Sequence, residues 1–280
     1  MAGIARFPVD SGQRGSEGEA MRFMTTTARL SFAALIVSAA IALAAGFGTR
    51  LHLWDYQVGL LKIFPYSLYV GLAALAFGIV WMVCAVVSAS AAGARFGVIG
   101  FAGSIALLWI PLRDIYLVSI DHSIPPIHDI STDTEHAPEF VTLRNNRPGA
   151  ITPPDYDGPR PVVFLGRLYT TEALQKLYYG DIKSASILGI TPAKLFQHAL
   201  AAAQDMGWNI VAVAPDSSGG RIEATDATLL FGLTSDIVIR VRPAGIGARL
   251  DIRSKSRVGI SDFGRNARRI RAYLKKLAGS

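Results

Sequence analysis

The sequence is poor in cysteine and in charged residues, and both shortages limit what the protein can be. Its single cysteine, Cys84, excludes a disulfide framework and a cysteine-rich metal site. Charged residues make up 18% of the 280 residues, whereas a soluble globular chain usually carries about 25%. Because 51% of the residues are hydrophobic, this low charge excludes a disordered or collagen-like chain and favours a membrane protein.

Three uncharged stretches near the N-terminus are long enough to cross a bilayer. They cover residues 30–49, 63–94 and 96–112. About 20 apolar residues span the hydrocarbon core, and the apolar residues 115–120 lengthen the third stretch. Because a backbone in lipid must satisfy its own hydrogen bonds, we predict three spanning helices within residues 28–118. Residues 1–27 are polar and are predicted to form a disordered tail. The stretches have no central ionisable residue, which argues against a transporter.

The basic residues that flank the stretches predict the orientation of the chain. One side of the membrane holds Arg14, Arg22, Arg29 and Arg95, and the other holds Arg50, Lys62 and Arg113. Residues 114–143 contain no Lys or Arg, as is typical of a translocated flank. We therefore predict a multi-pass membrane protein with a cytoplasmic N-terminus and an exported C-terminal domain. An alternative is that the first stretch is a cleaved signal peptide that starts at Met21-Arg22.

Residues 119–161 contain eight of the 14 prolines and separate the membrane region from the rest of the chain. Proline breaks long helices, so we predict an extended linker that is partly docked on the following domain. Residues 162–280 then show strand and helix patterns in the order β-α-β-β-β-β-α. Thr191 and Pro192 are typical of an N-cap and a first helical residue. This order predicts an α+β domain in which two helices pack on one face of an antiparallel sheet.

The last two strands of this domain place basic side chains on one face of the sheet. Alternation along the strands assigns Arg240, Arg242, Arg253, Lys255 and Arg257 to the face opposite the apolar residues. Residues 240–276 hold twelve Lys or Arg and only two acids, an excess of ten in a chain whose net charge is +7. A face of this kind would bind a polyanion, such as anionic lipid or an envelope glycan. These five residues are therefore the candidate ligand-binding site.

Two other interpretations of the basic residues stay open. Charged strands can simply be solvated and resist aggregation at sheet edges. Glu223 can also pair with Arg240 or Arg253 across the strands, in a structural ion-pair network. Nucleic acid is not an expected partner, because the face lacks interleaved aromatic residues.

The linker contains weak candidates for a metal site, namely His128, Asp129 and Asp133. Imidazole and carboxylate groups ligate zinc and other divalent cations, but this spacing matches no compact metal motif. The alternative is that these residues bind the linker to the sheet by hydrogen bonds. No cofactor is expected.

Several short motifs occur in an order that is similar to that of a known family. They are PPIHDI at 125–130 with Thr132-Asp133, GW at 207–208, RIEAT at 221–225, residues 236–242, DIRS at 251–254, and SRVG at 256–259 with Ser261-Asp262. In these motifs the chain resembles the bacterial family called domain of unknown function 1499, whose members often carry N-terminal spans. The resemblance implies a fold and an association with a membrane, and it implies no reaction.

Together with the resemblance, these features predict a membrane-anchored, non-enzymatic binding or assembly module of the bacterial envelope. The expected location is the bacterial inner (cytoplasmic) membrane, which the chain crosses several times, with a periplasmic or otherwise extracytoplasmic C-terminal domain. The expected partners of this module are the lipid bilayer, anionic lipid or another envelope polyanion, and other membrane proteins. One alternative is an enzyme of lipid or envelope-glycan chemistry that uses the histidine and carboxylates of the linker. A second alternative is an accessory subunit of a membrane complex, with the spans as its interface.

Overall fold

The structure, a computed structural model, describes residues 11–119 and 122–279. The chain divides after Arg113 into two compact units. The N-terminal unit consists of apolar helices, and the C-terminal unit combines an antiparallel sheet with helices. The α+β class predicted from the sequence is therefore confirmed, as is the presence of three long apolar helices before the domain.

Three long helices account for the N-terminal unit. They are α1 (Ser11–Arg50), α2 (Phe64–Ser88) and α3 (Ala94–Ser119), and a π-helical segment, Gln57–Ile63, leads directly into α2. By length and composition, all three are able to cross a membrane. Residues 11–27, predicted to be disordered, are helical instead, while residues 1–10 of the predicted tail lie outside the described residues. Packing favours the helix at the end of this segment, where Met24 is buried in a cluster with Ala28 and Trp81 of α2.

Small and hydroxyl-bearing residues let the apolar helices pack closely. Ser31 Oγ donates a hydrogen bond to the carbonyl of Ala74 at 2.7 Å, and Ser38 Oγ donates one to the carbonyl of Ser67 at 2.6 Å. A Cβ atom at Gly78 would lie 2.9 Å from a side-chain atom of α3, so a glycine there permits the close approach of the third helix. Such contacts hold helices together where lipid supplies no hydrophobic driving force.

Over the described residues 122–279, the C-terminal unit contains eight strands and four helices. The strands are β1 (Asp129–Ser131), β2 (Pro161–Phe164), β3 (Arg167–Thr170), β4 (Ala185–Leu188), β5 (Asn209–Asp216), β6 (Gly219–Ala227), β7 (Thr234–Ala244) and β8 (Gly247–Ser256). The helices are α4 (Thr142–Asn145), α5 (Thr171–Tyr178), α6 (Pro192–Asp205) and α7 (Arg265–Ala278). The main sheet is antiparallel and runs β1-β8-β7-β6-β5, with β4 also paired to β8, while β2 and β3 form a separate hairpin. The predicted order of elements from β4 to α7 is confirmed.

One face of the main sheet packs against α6 and α7, as predicted. Leu195 of α6, Ile239 of β7 and Ile270 of α7 are completely buried in one cluster. The rings of Trp208 and Tyr273 stack in the same cluster, with their centroids 5.1 Å apart. Burial of large apolar side chains is the main stabilising contribution to a fold of this size. Helices α6 and α7 cover only this face, so the opposite face of the sheet is available for other contacts.

Residues 122–160, which we call the strap, cover that opposite face. Residues 119–161 were predicted as an extended linker that is partly docked on the domain; the strap is docked on the sheet, and it also contains β1 and α4, which that prediction did not include. The amide of Thr132 donates to the carbonyl of Ile252, and the amide of Ile151 donates to the carbonyl of Arg257, both at 2.9 Å. Proline prevents a long helix in the strap, but it leaves carbonyls and the remaining amides free to bond to the sheet.

Candidate functional site

The face of the sheet beneath the strap carries the basic residues that alternation predicted. We call this set the basic face: Arg240 and Arg242 of β7, Arg249, Arg253 and Lys255 of β8, and Arg257 directly after it. A polyanion-binding face needs exposed side chains, but Arg253, Lys255 and Arg257 are only 1%, 0% and 7% exposed. The strap covers them, and its own carboxylates neutralise much of their charge.

The guanidinium group of Arg253 is held almost entirely by the strap. Its Nε and Nη2 donate to the two carboxylate oxygens of Asp129, at 2.9 and 2.8 Å. Its Nη1 and Nη2 also donate to three strap carbonyls between residues 138 and 155. The guanidinium carbon lies 4.7 Å from the ring centre of Phe140 and 5.2 Å from that of Tyr156. Because the buried charge is both paired and hydrogen-bonded, Arg253 ties the strap to the sheet.

Lys255 and His128 lie on either side of a second strap carboxylate. Lys255 Nζ is 3.0 Å from Asp157 and 3.4 Å from Asp129, and His128 Nε2 is 3.1 Å from Asp157. Burial acts to raise the pKa of Asp157, but the hydrogen bond from His128 and the charge of Lys255 outweigh it and lower the pKa to about 2. Asp157 is therefore an anion at neutral pH, and it balances the completely buried ammonium group of Lys255.

Arg257 holds a different part of the strap through a carboxylate of the sheet itself. Its Nη2 lies 2.7 Å from Asp236 of β7, and Arg147 of the strap reaches the same carboxylate at 2.6 Å. Arg147 also donates to the carbonyl of Thr152 at 2.6 Å. Two arginines thus share one buried carboxylate, and this pairing fixes the segment that follows α4.

Glu223 of β6 is completely buried and binds the strap rather than another strand. Its carboxylate accepts hydrogen bonds from the backbone amides of residues 141–143, at the start of α4, over 2.7–3.0 Å. It also pairs with Arg221 of the same strand at 2.8 Å. The predicted pairing of Glu223 with Arg240 or Arg253 is therefore wrong. The carboxylate instead satisfies amides that a short helix leaves without an internal partner.

At the other end of the basic face, three arginines share two carboxylates. They are Arg240, Arg242 and Arg249, which surround Asp133 of the strap and Asp251 of β8 at distances between 2.8 and 3.3 Å. Burial acts to raise the pKa of Asp251, but hydrogen bonds from Ser184 and from two of the arginines lower it below its ordinary value. The side chains of Arg240 and Arg242 remain 27% and 37% exposed. We call this group the open end.

A cleft of about 640 Å³ lies beside the open end, between the strap and the sheet. Five arginines line it, namely Arg144, Arg221, Arg240, Arg242 and Arg253. Phe140 and Tyr156 are among its strap residues. Four carboxylates line it as well: Asp155, paired with Arg144, Asp216, bonded to Ser218 in its own turn, and the exposed Glu135 and Glu139. The cleft thus combines a basic sheet side with a strap side that contains aromatic rings and carboxylates.

The structure does not bring the three weak metal candidates together. His128 contacts Asp157, Asp129 pairs with Arg253, and Asp133 lies among the arginines of the open end. Across residues 11–119 and 122–279, no group of three or more His, Cys, Asp or Glu side chains is arranged to hold a metal ion. The contacts of these residues match the other interpretation, in which they bind the strap to the sheet.

The fold and the site define an α+β domain with a strap-covered basic face, carried behind three helices that are compatible with membrane insertion. The chain belongs to the family described as "Protein of unknown function (DUF1499)", whose model matches residues 129–277, more than half of the chain. The resemblance stated from the motifs is thereby confirmed.

Comparisons with individual proteins add little to what the family match shows. No curated protein matches the chain. A crystal structure of the protein TTHA0849 from Thermus thermophilus is similar to it at 13% sequence identity, with a TM-score of 0.20. The match covers 34% of this chain and 93% of the other. A TM-score this low supports no inference about fold or function.

Proposed function

We propose that the protein is a membrane-anchored binding module whose cleft accepts an anionic group, a phosphate or carboxylate of a lipid headgroup or envelope glycan. The three apolar helices would anchor it in the bacterial inner membrane, with the C-terminal unit on the extracytoplasmic side. The flanking Lys and Arg residues support this orientation, because residues 114–143 contain none. In this proposal the protein binds its ligand and catalyses no reaction.

The observation that carries the proposal is the unequal number of charges at the open end. Among the described residues, three guanidinium groups there share two carboxylates, those of Asp133 and Asp251. Cationic side chains placed this close together repel each other unless an anion offsets the charge. The planar guanidinium group matches phosphate and carboxylate oxygens in pairs of hydrogen bonds. An anionic ligand would therefore complete the charge balance of this group.

The shape of the cleft is consistent with a small headgroup. Its volume of about 640 Å³ lies within the range of roughly 300–1,000 Å³ that is usual for ligand sites. Tyr156, which is partly exposed, offers apolar surface, while the arginines offer hydrogen-bond donors. A sugar or glycerol unit that carries an anionic group presents the same two kinds of surface to a protein.

The proposal divides the predicted binding residues into two groups. Arg253, Lys255 and Arg257 are buried and hold the strap, so they would act on the ligand only by shaping the cleft. Arg240 and Arg242 keep exposed guanidinium surface and line the cleft. They are the residues that we propose contact the anion.

Calorimetric titration of the full chain in a neutral detergent tests this proposal. Glycerol 1-phosphate represents a lipid headgroup, galacturonate represents a glycan carboxylate, and glycerol is the uncharged control. Arg242→Gln should weaken binding of the anionic probe about tenfold or more, because a charged hydrogen bond contributes about 1.5–3 kcal/mol. Arg271→Gln is the matched control, since Arg271 is 40% exposed and pairs with Asp181 outside the cleft.

The outcomes separate the sources of the anion. Saturable binding of glycerol 1-phosphate alone would favour a lipid headgroup, and binding of galacturonate alone would favour a glycan. Absence of saturable binding by both anions, or equal losses in the Arg242 and Arg271 variants, would contradict the proposed function.

A further inference from the structure

We propose that the β2–β3 hairpin is a second membrane contact, which places its outward apolar side chains in the interfacial layer of a bilayer that contains anionic lipid. This inference rests on the proposed membrane anchoring and does not depend on the ligand of the cleft. The hairpin is separate from the main sheet and follows the strap directly.

The two faces of the hairpin have opposite environments. Val162 and Tyr169 are paired across the strands and pack against the core cluster of the domain. Val163 and Leu168 form the next pair and belong to the other face, where they are 70% and 72% exposed. Phe164 is buried and holds the end of β2 in the core. The hairpin is therefore fixed to the domain by one face and presents an uncovered apolar pair on the other.

The turn of the hairpin is also apolar. Leu165 and Gly166 both have a positive φ, of 52° and 71°. Tight hairpin turns of this kind favour Asn or Asp followed by Gly, because a bulky side chain is strained at positive φ. Leu165 is instead more than half exposed. A strained and exposed leucine at the apex is unfavourable in water, whereas apolar surface at a membrane interface is favourable.

The surroundings of the hairpin in the chain indicate that the bilayer is what covers its exposed apolar face. The ring of Phe164 lies 6.0 Å from the ring of His122, in an edge-to-face contact. His122 follows Ser119, the last residue of α3, by only three residues. Three extended residues reach at most about 11 Å. Because α3 contains the third candidate span, only a short length of chain separates that span from His122, which contacts the turn end of the hairpin.

The charges beside the hairpin fit an anionic bilayer. Arg160 precedes β2 and Arg167 begins β3, and both are exposed. Residues 158–171 contain no Asp or Glu, and the neighbouring Asp157, 3.8 Å from Arg160, is itself buried and leaves the Arg160 side chain 51% exposed. Basic residues next to apolar side chains are typical of segments that lie in the membrane interface, where each Lys or Arg is attracted by anionic headgroups.

Site-specific fluorescence of the full chain in vesicles tests the inference. Cys84 is the only cysteine, so Cys84→Ser combined with Leu168→Cys allows an environment-sensitive dye to be placed on the hairpin. The control is Cys84→Ser with Ile246→Cys, because Ile246 lies between β7 and β8 and is 83% exposed. In vesicles of phosphatidylcholine and phosphatidylglycerol, the dye at 168 should shift its emission to the blue. Lipid-linked nitroxide should quench it, while aqueous iodide should quench only the dye at 246.

Three results would overturn the inference. Equal iodide quenching at both positions would place the hairpin in water. Shielding of position 168 from both quenchers would show that protein, including a second copy of this chain, covers the face. Release of the chain from vesicles by alkaline carbonate would contradict both the hairpin contact and the proposed anchoring in the membrane. A chain that resists carbonate, binds glycerol 1-phosphate and keeps position 168 in water would contradict the hairpin contact alone. Circular dichroism of each labelled chain confirms that both variants are folded.

Discussion

Arg253 and Asp129 form a two-point ion pair that is almost completely buried, although 124 positions separate them in the sequence. One residue belongs to the central part of the sheet and the other to the first strand of the strap. Removing one member of a buried pair leaves the other charge unpaired, which costs about 3–5 kcal/mol. The pair therefore makes the strap and the sheet depend on each other for stability.

Asp129→Asn should lower the free energy of unfolding of the C-terminal unit by about 3–5 kcal/mol, because the Arg253 charge stays buried without its partner. The slowest-exchanging amides of β7 and β8, measured by hydrogen exchange in the full chain, report this free energy. Asp181→Asn is the control, since the Asp181–Arg271 pair is exposed and such pairs contribute about 0–1 kcal/mol. Equal losses in the two variants would show that the buried pair has no special role.

The stability of the domain should fall at acid pH because of Asp157. The pKa of this carboxyl is lowered to about 2 in the folded chain, from an ordinary value of about 3.9. A lowered pKa contributes stability that is complete above pH ~4 and is lost as the pH falls toward 2. The contribution is about 2–3 kcal/mol.

Asp157→Asn isolates this contribution from that of other carboxyl groups. The variant should be less stable than the natural chain at pH 6, and the difference should shrink as the pH falls from 4 to about 2. Chemical denaturation at several pH values measures the difference. A gap between the two chains that is the same at pH 6 and pH 2 would contradict the assigned role of Asp157.

In α7, Ile270→Ala should destabilise the domain by about 2–5 kcal/mol, because the side chain is completely buried in the core. Lys275 is exposed, so Lys275→Ala should change stability by less than about 0.5 kcal/mol. Arg269 of the same helix is charged but is not a surface residue. It is buried and pairs with Asp226 at 2.7 Å, so Arg269→Ala should also destabilise clearly. Thermal unfolding gives the melting temperature of each of the three variants. Equal melting temperatures would contradict the assignment of Ile270 and Arg269 to the interior and of Lys275 to the surface.

The proposed orientation predicts the behaviour of fusion proteins. Alkaline phosphatase fused after Ser280 should be active, because it folds only after export. A fluorescent protein that matures only in the cytoplasm should stay dark at the same position. The reverse pattern would place the C-terminal unit in the cytoplasm and would contradict the orientation.

The second half of the domain could be predicted from local patterns. Thr191 caps α6 by accepting a hydrogen bond from the amide of Lys194, and Pro192 begins the helix. The alternation in β7 and β8 correctly separated the apolar residues of the core from the residues of the basic face. These features depend on residues that are close together in the chain, which is why spacing alone identifies them.

The cover over the basic face could not be predicted in the same way. Alternation shows which side of a strand a residue occupies, but it does not show what packs on that side. The partners of Arg253 and Lys255 come from the strap, more than 90 residues earlier. The sequence did contain a signal for this cover, because residues 114–143 contain acids but no Lys or Arg. That composition is typical of a translocated flank, and it also matches a segment that pairs with a basic surface.

Hydrogen exchange of the full chain with and without glycerol 1-phosphate tests most directly whether the cleft between the strap and the sheet binds an anion. The ligand should slow exchange of strap amides at residues 135–144, which include the strap side of the cleft. It should leave the amides at 244–247, in the turn between β7 and β8, unchanged. Slower exchange at these strap residues alone is the predicted result. Unchanged exchange in the strap at saturating ligand, or protection confined to other parts of the domain, would contradict an anion site in this cleft.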